Sequence, residues 1–409
     1  MDNTFNINKI DKFLQFGCWN NTNKDKKGNV IGNLLGVMSS VTNYIINESV
    51  KPDFIVIAGD NYYPQKKKPS TPDEKKKKII YTQKLIDGFQ NLPKGIEIDM
   101  ILGNHDLETN TKKPTLYIDG EIEVEKGDCY ILNQEEKIEK TLIIEGNPIN
   151  LFLYKEKMLS NGSLLLMIDT SMYSTDAILY LKCYNHLLTN QNKNPVTNVE
   201  ELILLQNNFI LSTISKYSTN IKNLVIIGHH PIIGIKSKET IDVLDDIPEF
   251  INTLKMINDT IKTNVSKPVN FYYLCADLHL YQSGIIVMKN LDNTDEMIIN
   301  QYIVGTGGTE LDNPIPLDKI KYANGIPIKY NRQIGDKTME YMVTDCIQDF
   351  GFLECIMSEK PSFTFIPTSY TNSTGNIIST GKSGGKKSLK KRKHSKKGKS
   401  KKTKTKKRK

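Results

Sequence analysis

Phe54-Ile55-Val56-Ile57-Ala58-Gly59-Asp60-Asn61-Tyr62-Tyr63 runs an unbroken apolar stretch into a glycine and a carboxylate. A run of that length without polar alternation suits a strand buried on both faces, as in a parallel sheet covered by helices. The layout recurs four times. Phe13 to Phe16 leads into Gly17-Cys18-Trp19-Asn20, Met100 to Leu102 into Gly103-Asn104-His105-Asp106, Leu224 to Ile227 into Gly228-His229-His230-Pro231, and Phe271 to Leu274 into Cys275-Ala276-Asp277-Leu278-His279. Between them, Asn33 to Val50 carries Leu34, Leu35, Met38, Val41 and Ile45 at helical spacing, and Glu201 to Ile214 carries Leu202, Leu205, Phe209 and Ile210. Strand alternating with helix predicts an α/β core with functional residues at the carboxyl ends of strands, where backbone polar groups are free.

A strand-rich part follows, with runs at Gln301 to Val304, Gly351 to Ile356 and Ser362 to Ile366, which are expected to supply a second sheet packed on the first. Three stretches read as insertions: the Lys/Pro-rich Lys66 to Lys78, Glu108 to Met158 with short strands such as Thr141 to Ile144, and Lys236 to Lys267 as a helical excursion. The expected organisation is one domain over 1–368 and a disordered Lys-rich tail over 369–409.

The chain has 409 residues, 38% of them hydrophobic, enough for a large core. Its net charge of +9 is local, because Lys386 to Lys409 holds sixteen Lys and Arg and no acid; subtracting those leaves −7 on the remainder. Cys18, Cys129, Cys183, Cys275, Cys346 and Cys355 show no CxxC pair or dense framework, which fits a reducing compartment. Neither a signal sequence nor a membrane-length apolar run is present, so the expectation is a soluble intracellular protein with no membrane partner. The tail suits non-specific contact with nucleic acid or an acidic partner through residues 382–409, or an address to the nucleus or a viral particle, and equally a merely solvated segment. Gly375 and Gly381-Lys382-Ser383 fail as a phosphate-binding loop, since five residues separate the glycines and the sequence predicts no strand before them and no helix after.

Carboxylate, imidazole, amide and thiol groups at five strand ends are donors for metal ions. Together and in this order the motifs resemble the calcineurin-like metallophosphoesterases, and Tyr63, three residues after Asp60, narrows the resemblance to the purple acid phosphatase branch. The resemblance implies two packed β-sheets with helices outside, and two metal ions, iron with zinc or iron with manganese. It places Cys18, Asp60, Tyr63 and His279 around the first metal and Asp60, Asn104, His229 and Asp277 around the second, with Asp60 bridging. His105 matches the histidine that contacts the phosphate and protonates the leaving oxygen, whereas His230 matches no ligand and suits a supporting hydrogen bond or packing.

Two positions depart from the family pattern. Cys18 stands where the family has Asp in its first motif, and Asp277 where it has His in its last. A thiolate keeps the negative charge but favours zinc or iron, while Asp277 makes the second site richer in oxygen and tilts it toward manganese or magnesium. The added negative charge would weaken the metals as Lewis acids. The expected activity is hydrolysis of phosphomonoesters through a metal-bound hydroxide. The alternative is a binding or structural protein on the same fold, with Cys18 a small buried hydrophobe, Asp277 a turn residue and catalysis eroded.

Overall fold

The computed structural model describes residues 11–19, 21, 32, 34–61, 63, 89, 92–107, 115–118, 122–125, 129, 132, 135–136, 146–237, 241–244, 247–290, 296–315, 329–334, 337–368, 370–371 and 377–378. The expected loop at Lys66 to Lys78, the strand at Thr141 to Ile144 and the Lys-rich tail from 382 onward lie outside them.

Along the chain come β1 (Asp11–Phe16), α1 (Leu34–Asn47), β2 (Phe54–Ala58), β3 (Glu97–Ile101), the single turn α2 (Asn104–Leu107), and the hairpin β4 (Thr115–Ile118) and β5 (Ile122–Glu125). They are followed by β6 (Ile149–Leu151), β7 (Tyr154–Met158), β8 (Ser163–Ile168), α3 (Ala177–Asn190), α4 (Val199–Tyr217) and β9 (Asn223–Ile227). After the hairpin β10 (Gly234–Ser237) and β11 (Ile241–Leu244) come α5 (Phe250–Asn264) and β12 (Asn270–Cys275). The chain continues through β13 (Tyr281–Asn290), β14 (Glu296–Val304), β15 (Lys329–Ile334), β16 (Lys337–Ile347), β17 (Gly351–Met357) and β18 (Ser362–Pro367).

Two sheets result, flanked by helices. One has six strands in the order β18-β17-β1-β2-β3-β6, the other eight in the order β15-β16-β13-β14-β12-β9-β8-β7. The later strands therefore do not make a second sheet of their own, contrary to the sequence expectation. β17 and β18 extend the first sheet beside β1, while β14 joins the second sheet at its centre, beside β12. Hydrophobic runs mark a buried strand, but its partner is set by chain reversals that no run encodes. Lys236 to Lys267 likewise begins in the β10–β11 pair before α5.

Register brings the motifs together. β1, β2 and β3 are parallel, with Phe16 opposite Ile57 and Ala58 opposite Ile101, so three motif loops leave the first sheet side by side. β9 and β12 are parallel in the second sheet, with Ile227 opposite Leu274. The sheets meet at this end: Gly17 N–H donates to the Val304 carbonyl at 3.0 Å and Gln15 Nε2 to the Cys275 carbonyl at 3.2 Å. Among the described residues, Cys129 and Cys183 are joined in a disulfide across 54 residues, with Cα atoms 5.5 Å apart. The pair is made by tertiary packing and has no spacing signature in the sequence.

Candidate metal centre

The motif loops turn so sharply that ordinary side chains occupy strained backbone. Cys18, Asp60 and Asp277 all lie in the left-handed region, with φ of 54°, 52° and 54°. Strain of this kind costs roughly 1–3 kcal/mol per residue. The adjoining strands offset it, since Phe54, Ile55, Val56 and Ile57 are essentially inaccessible and each such burial stabilises by about 1.5–3 kcal/mol. Close approach completes the convergence: a Cβ on Gly103 would stand 2.3 Å from Asp60 Oδ1, and one on Gly59 would stand 2.6 Å from His229 Nδ1.

Asp60 is fully buried, and its two oxygens face different groups. Oδ2 accepts from the Tyr63 hydroxyl at 2.8 Å and lies 3.8 Å from Cys18 Sγ. Tyr63 Oη is in turn 3.2 Å from His279 Nε2. Oδ1 accepts from the His105 backbone N–H at 3.0 Å and lies 3.3 Å from His229 Nε2.

His229 anchors the other group. Its Nδ1 is 2.7 Å from the Ala58 carbonyl, which can only accept, so Nδ1 carries a proton and Nε2 is turned inward. Around Nε2 stand Asn104 Oδ1 at 3.1 Å, Asp60 Oδ1 at 3.3 Å and Asp277 Oδ1 at 3.6 Å. His230 comes into this group, its imidazole lying with those of His229 and Asp277's carboxylate within 4.8 Å, although sequence reasoning gave it no ligand position. Its Nδ1 is 3.0 Å from Thr170 Oγ1.

The charges in the cluster answer one another. Burial would raise Asp60, but His229, His105 and the hydrogen bonds from His229 and Tyr63 outweigh it and hold the carboxyl well below the usual range. Asp277 is likewise brought down to about 2, burial being overcome by its His229 contact. Burial alone would make His229 a weaker base, yet Asp60 and Asp277 push it well up. Burial, with the Asp60 charge, pushes the Cys18 thiol and the Tyr63 phenol far up. His230 is pushed down to about 4 by burial and by His229.

Some supporting residues had little or no sequence signal. Asp106, quoted in its motif without a role, accepts from Asn61 N–H at 2.8 Å, Asn61 Nδ2 at 3.0 Å and Gly103 N–H at 2.7 Å, holding the second and third motifs in register. Thr170 Oγ1 accepts from the backbone N–H groups of His229 and His230 at 3.1 and 3.0 Å. Asp312, which no pattern marked, accepts from the His279 N–H at 3.1 Å. His105 is half-buried, its ring centroid 4.6 Å from that of Tyr63.

All eight residues singled out in the sequence converge here. Ligands held about 2.0–2.3 Å from one ion stand roughly 3–3.7 Å from each other; the spacings around His229 Nε2 fall in that range, and those on the Oδ2 side, at 2.8, 3.2 and 3.8 Å, lie within or just beside it. Lone pairs directed at one another across a buried space need a cation between them, and protons on His229, Tyr63 and Cys18 supply that role in the metal-free protein. The donor set thus fits two cations.

The sequence matches the family model described as calcineurin-like phosphoesterase over residues 12–257. No curated protein matches it. Among solved structures, the chain is similar to one described as "GAP50 the anchor in the inner membrane complex of Plasmodium", at 13% identity and a TM-score of 0.42, covering 90% of this chain and 87% of that one.

Proposed function

We propose that this chain, which belongs to the calcineurin-like phosphoesterase family, hydrolyses phosphomonoesters at a centre of two cations held across Asp60. One observation carries the reading: each oxygen of Asp60 faces its own set of donors. Cys18, Asp60, Tyr63 and His279 are assigned to the first cation, and Asp60, Asn104, His229 and Asp277 to the second. Bound there, the cations would acidify water and neutralise charge growing on the phosphoryl oxygens.

The chain's own groups do the rest. The Ala58 carbonyl fixes His229 with Nε2 inward, and Thr170 fixes the backbone that carries it. The backbone N–H of His105 is tied to Asp60 while its ring rests on Tyr63, at a half-buried position from which it can hand a proton to the leaving oxygen. Tyr63 supports the purple acid phosphatase branch and an iron ion at the first position, paired with zinc or manganese. The Lys-rich tail over 382–409 is assigned to an acidic partner such as nucleic acid.

A second reading, an eroded binding protein, is favoured by one observation: the Cys18 thiol, deeply buried beside Asp60, is pushed toward its neutral form. Elemental analysis of purified protein, with hydrolysis of an aryl phosphate in added iron, zinc or manganese, separates the two. The first reading expects about two metal ions per chain and turnover; metal-free protein inert under every condition favours the second.

A further inference from the structure

The Cys129–Cys183 disulfide is the last link of a chain of contacts that ends at Asp60. On α3, Cys183, His186 and Asn190 stand three and four residues apart, on one face. All three grip the same short stretch of the insertion: Cys183 is bonded to Cys129, His186 Nε2 lies 3.0 Å from Glu136 Oε2, and Asn190 Nδ2 donates to Glu136 Oε1 at 2.8 Å. Leu132, between them in sequence, is wholly buried. The grip delivers the neighbouring residue, Glu135, into the core with 1% of its surface accessible.

Glu135 lies against Asp106: burial and the Asp106 charge push the Glu135 carboxyl well up, while the contact with Glu135 helps hold the Asp106 carboxyl down against burial and Asp60. Among the described residues its two oxygens have no hydrogen-bond donor, so the carboxyl is satisfied only when it carries a proton to share with Asp106. Two carboxyls buried side by side cannot both ionise at low cost, and Glu135 is the one driven neutral by burial and by Asp106. Asp106 is left to accept from Gly103 and twice from Asn61. Those bonds align the loop holding Asp60 with the loop holding Asn104 and His105. α3 itself follows the Thr170 segment that sets His229, so the clasp joins supports from both sheets.

We propose that Glu135 is a positioning residue for the metal centre, acting through Asp106, and that the Cys129–Cys183 disulfide locks it in place, so that the oxidation state of these cysteines sets how tightly the centre holds metal. The proposal rests on the two-cation reading above. Opening the lock takes two electrons and two protons, which a dithiol such as dithiothreitol supplies while closing to its own cyclic disulfide.

The single tryptophan gives a readout that needs no metal. Trp19 is buried, its ring 4.7 Å from that of Phe89, and its indole N–H donates to Asn61 Oδ1 at 3.4 Å. It therefore reports on the residue that Asp106 holds. The experiment compares full-length wild type with Glu135→Ala, Glu135→Gln and the double variant Cys129→Ser, Cys183→Ser. Tryptophan emission is recorded on metal-free samples with and without dithiothreitol, and zinc retention is measured against rising chelator.

Glu135→Ala and the double variant should shift emission to longer wavelength and release zinc at about tenfold less chelator, the range expected for loss of an outer support. Dithiothreitol should move wild type the same way and leave the double variant unchanged. Glu135→Gln, which fills the same space and can donate to Asp106, should stay near wild type. If the double variant does not fold, Glu135→Ala with its disulfide intact decides. Wild-type emission in Glu135→Ala overturns the proposal whatever the zinc result, whereas wild type that holds no zinc overturns the two-cation reading alone.

Discussion

The two sides of Asp60 balance charge in different ways. On the Oδ2 side, Tyr63 and Cys18 keep their own protons, because burial beside a carboxylate disfavours phenolate and thiolate. On the Oδ1 side, the carboxylates of Asp60 and Asp277 stay ionised, and the compensating proton rests on His229. On the proposed two-cation reading, a cation entering the first side would have to displace protons from Cys18 and Tyr63, while one entering the second would replace a single imidazolium proton. The sides should therefore differ in how steeply their affinity depends on pH, with the Cys18 and Tyr63 side needing the higher pH to fill.

The harshest way to break this comparison is Asp60→Ala, which removes the element common to both sides. Both ions should be lost, with turnover falling at least about a thousandfold, or ~4 kcal/mol of barrier; metal stoichiometry and steady-state kinetics check it. Retained metal and turnover would move the centre elsewhere. Restoring the family residues with Cys18→Asp and Asp277→His should raise phosphomonoesterase activity and shift the acid limb of the pH profile downward, because one fewer anionic ligand leaves stronger Lewis acids.

Single supports should sharpen the contrast. Asp312→Ala frees the backbone of His279 and should weaken the Oδ2 side by about tenfold, while Thr170→Ala frees that of His229 and should weaken the Oδ1 side by a similar factor. Titration calorimetry should resolve each loss on one side alone; equal losses on both sides in both variants would dissolve the distinction.

Proton linkage makes a subtler test. His229 has a raised pKa in the folded metal-free protein, so its contribution to stability is complete below the unfolded value of about 6.5 and fades as pH rises through the folded value. The metal-free midpoint of thermal unfolding should fall above about pH 6.5, and metal should remove that fall by replacing the proton. Smallest of all, deleting Ser383 to Lys409 should leave hydrolysis of a small ester unchanged and weaken salt-sensitive nucleic-acid binding. A large loss of activity would give the tail a place at the centre.

The same contrast shows what a sequence can display. Strand ends, and the polar residues that follow them, were legible, because an apolar run stopped by glycine and a carboxylate needs no partner to be read. β2 begins and ends at the residues the run marked, and residues from five motifs meet around one carboxylate. What was not legible depends on contacts far apart in the chain. Cys129 meets Cys183, Asp312 meets His279, and Glu135 meets Asp106 only after the sheets have packed, and β17 entered the first sheet by pairing with β1, with β18 pairing onto β17.

The central claim is that Asp60 divides two cation positions, and anomalous diffraction from crystals of protein loaded with iron and manganese tests it most directly. Two peaks are expected about 3.5–4 Å apart, one beside Oδ2 among Cys18, Tyr63 and His279, the other beside Oδ1 among Asn104, His229 and Asp277. A single peak, or two peaks that do not share Asp60, would contradict it.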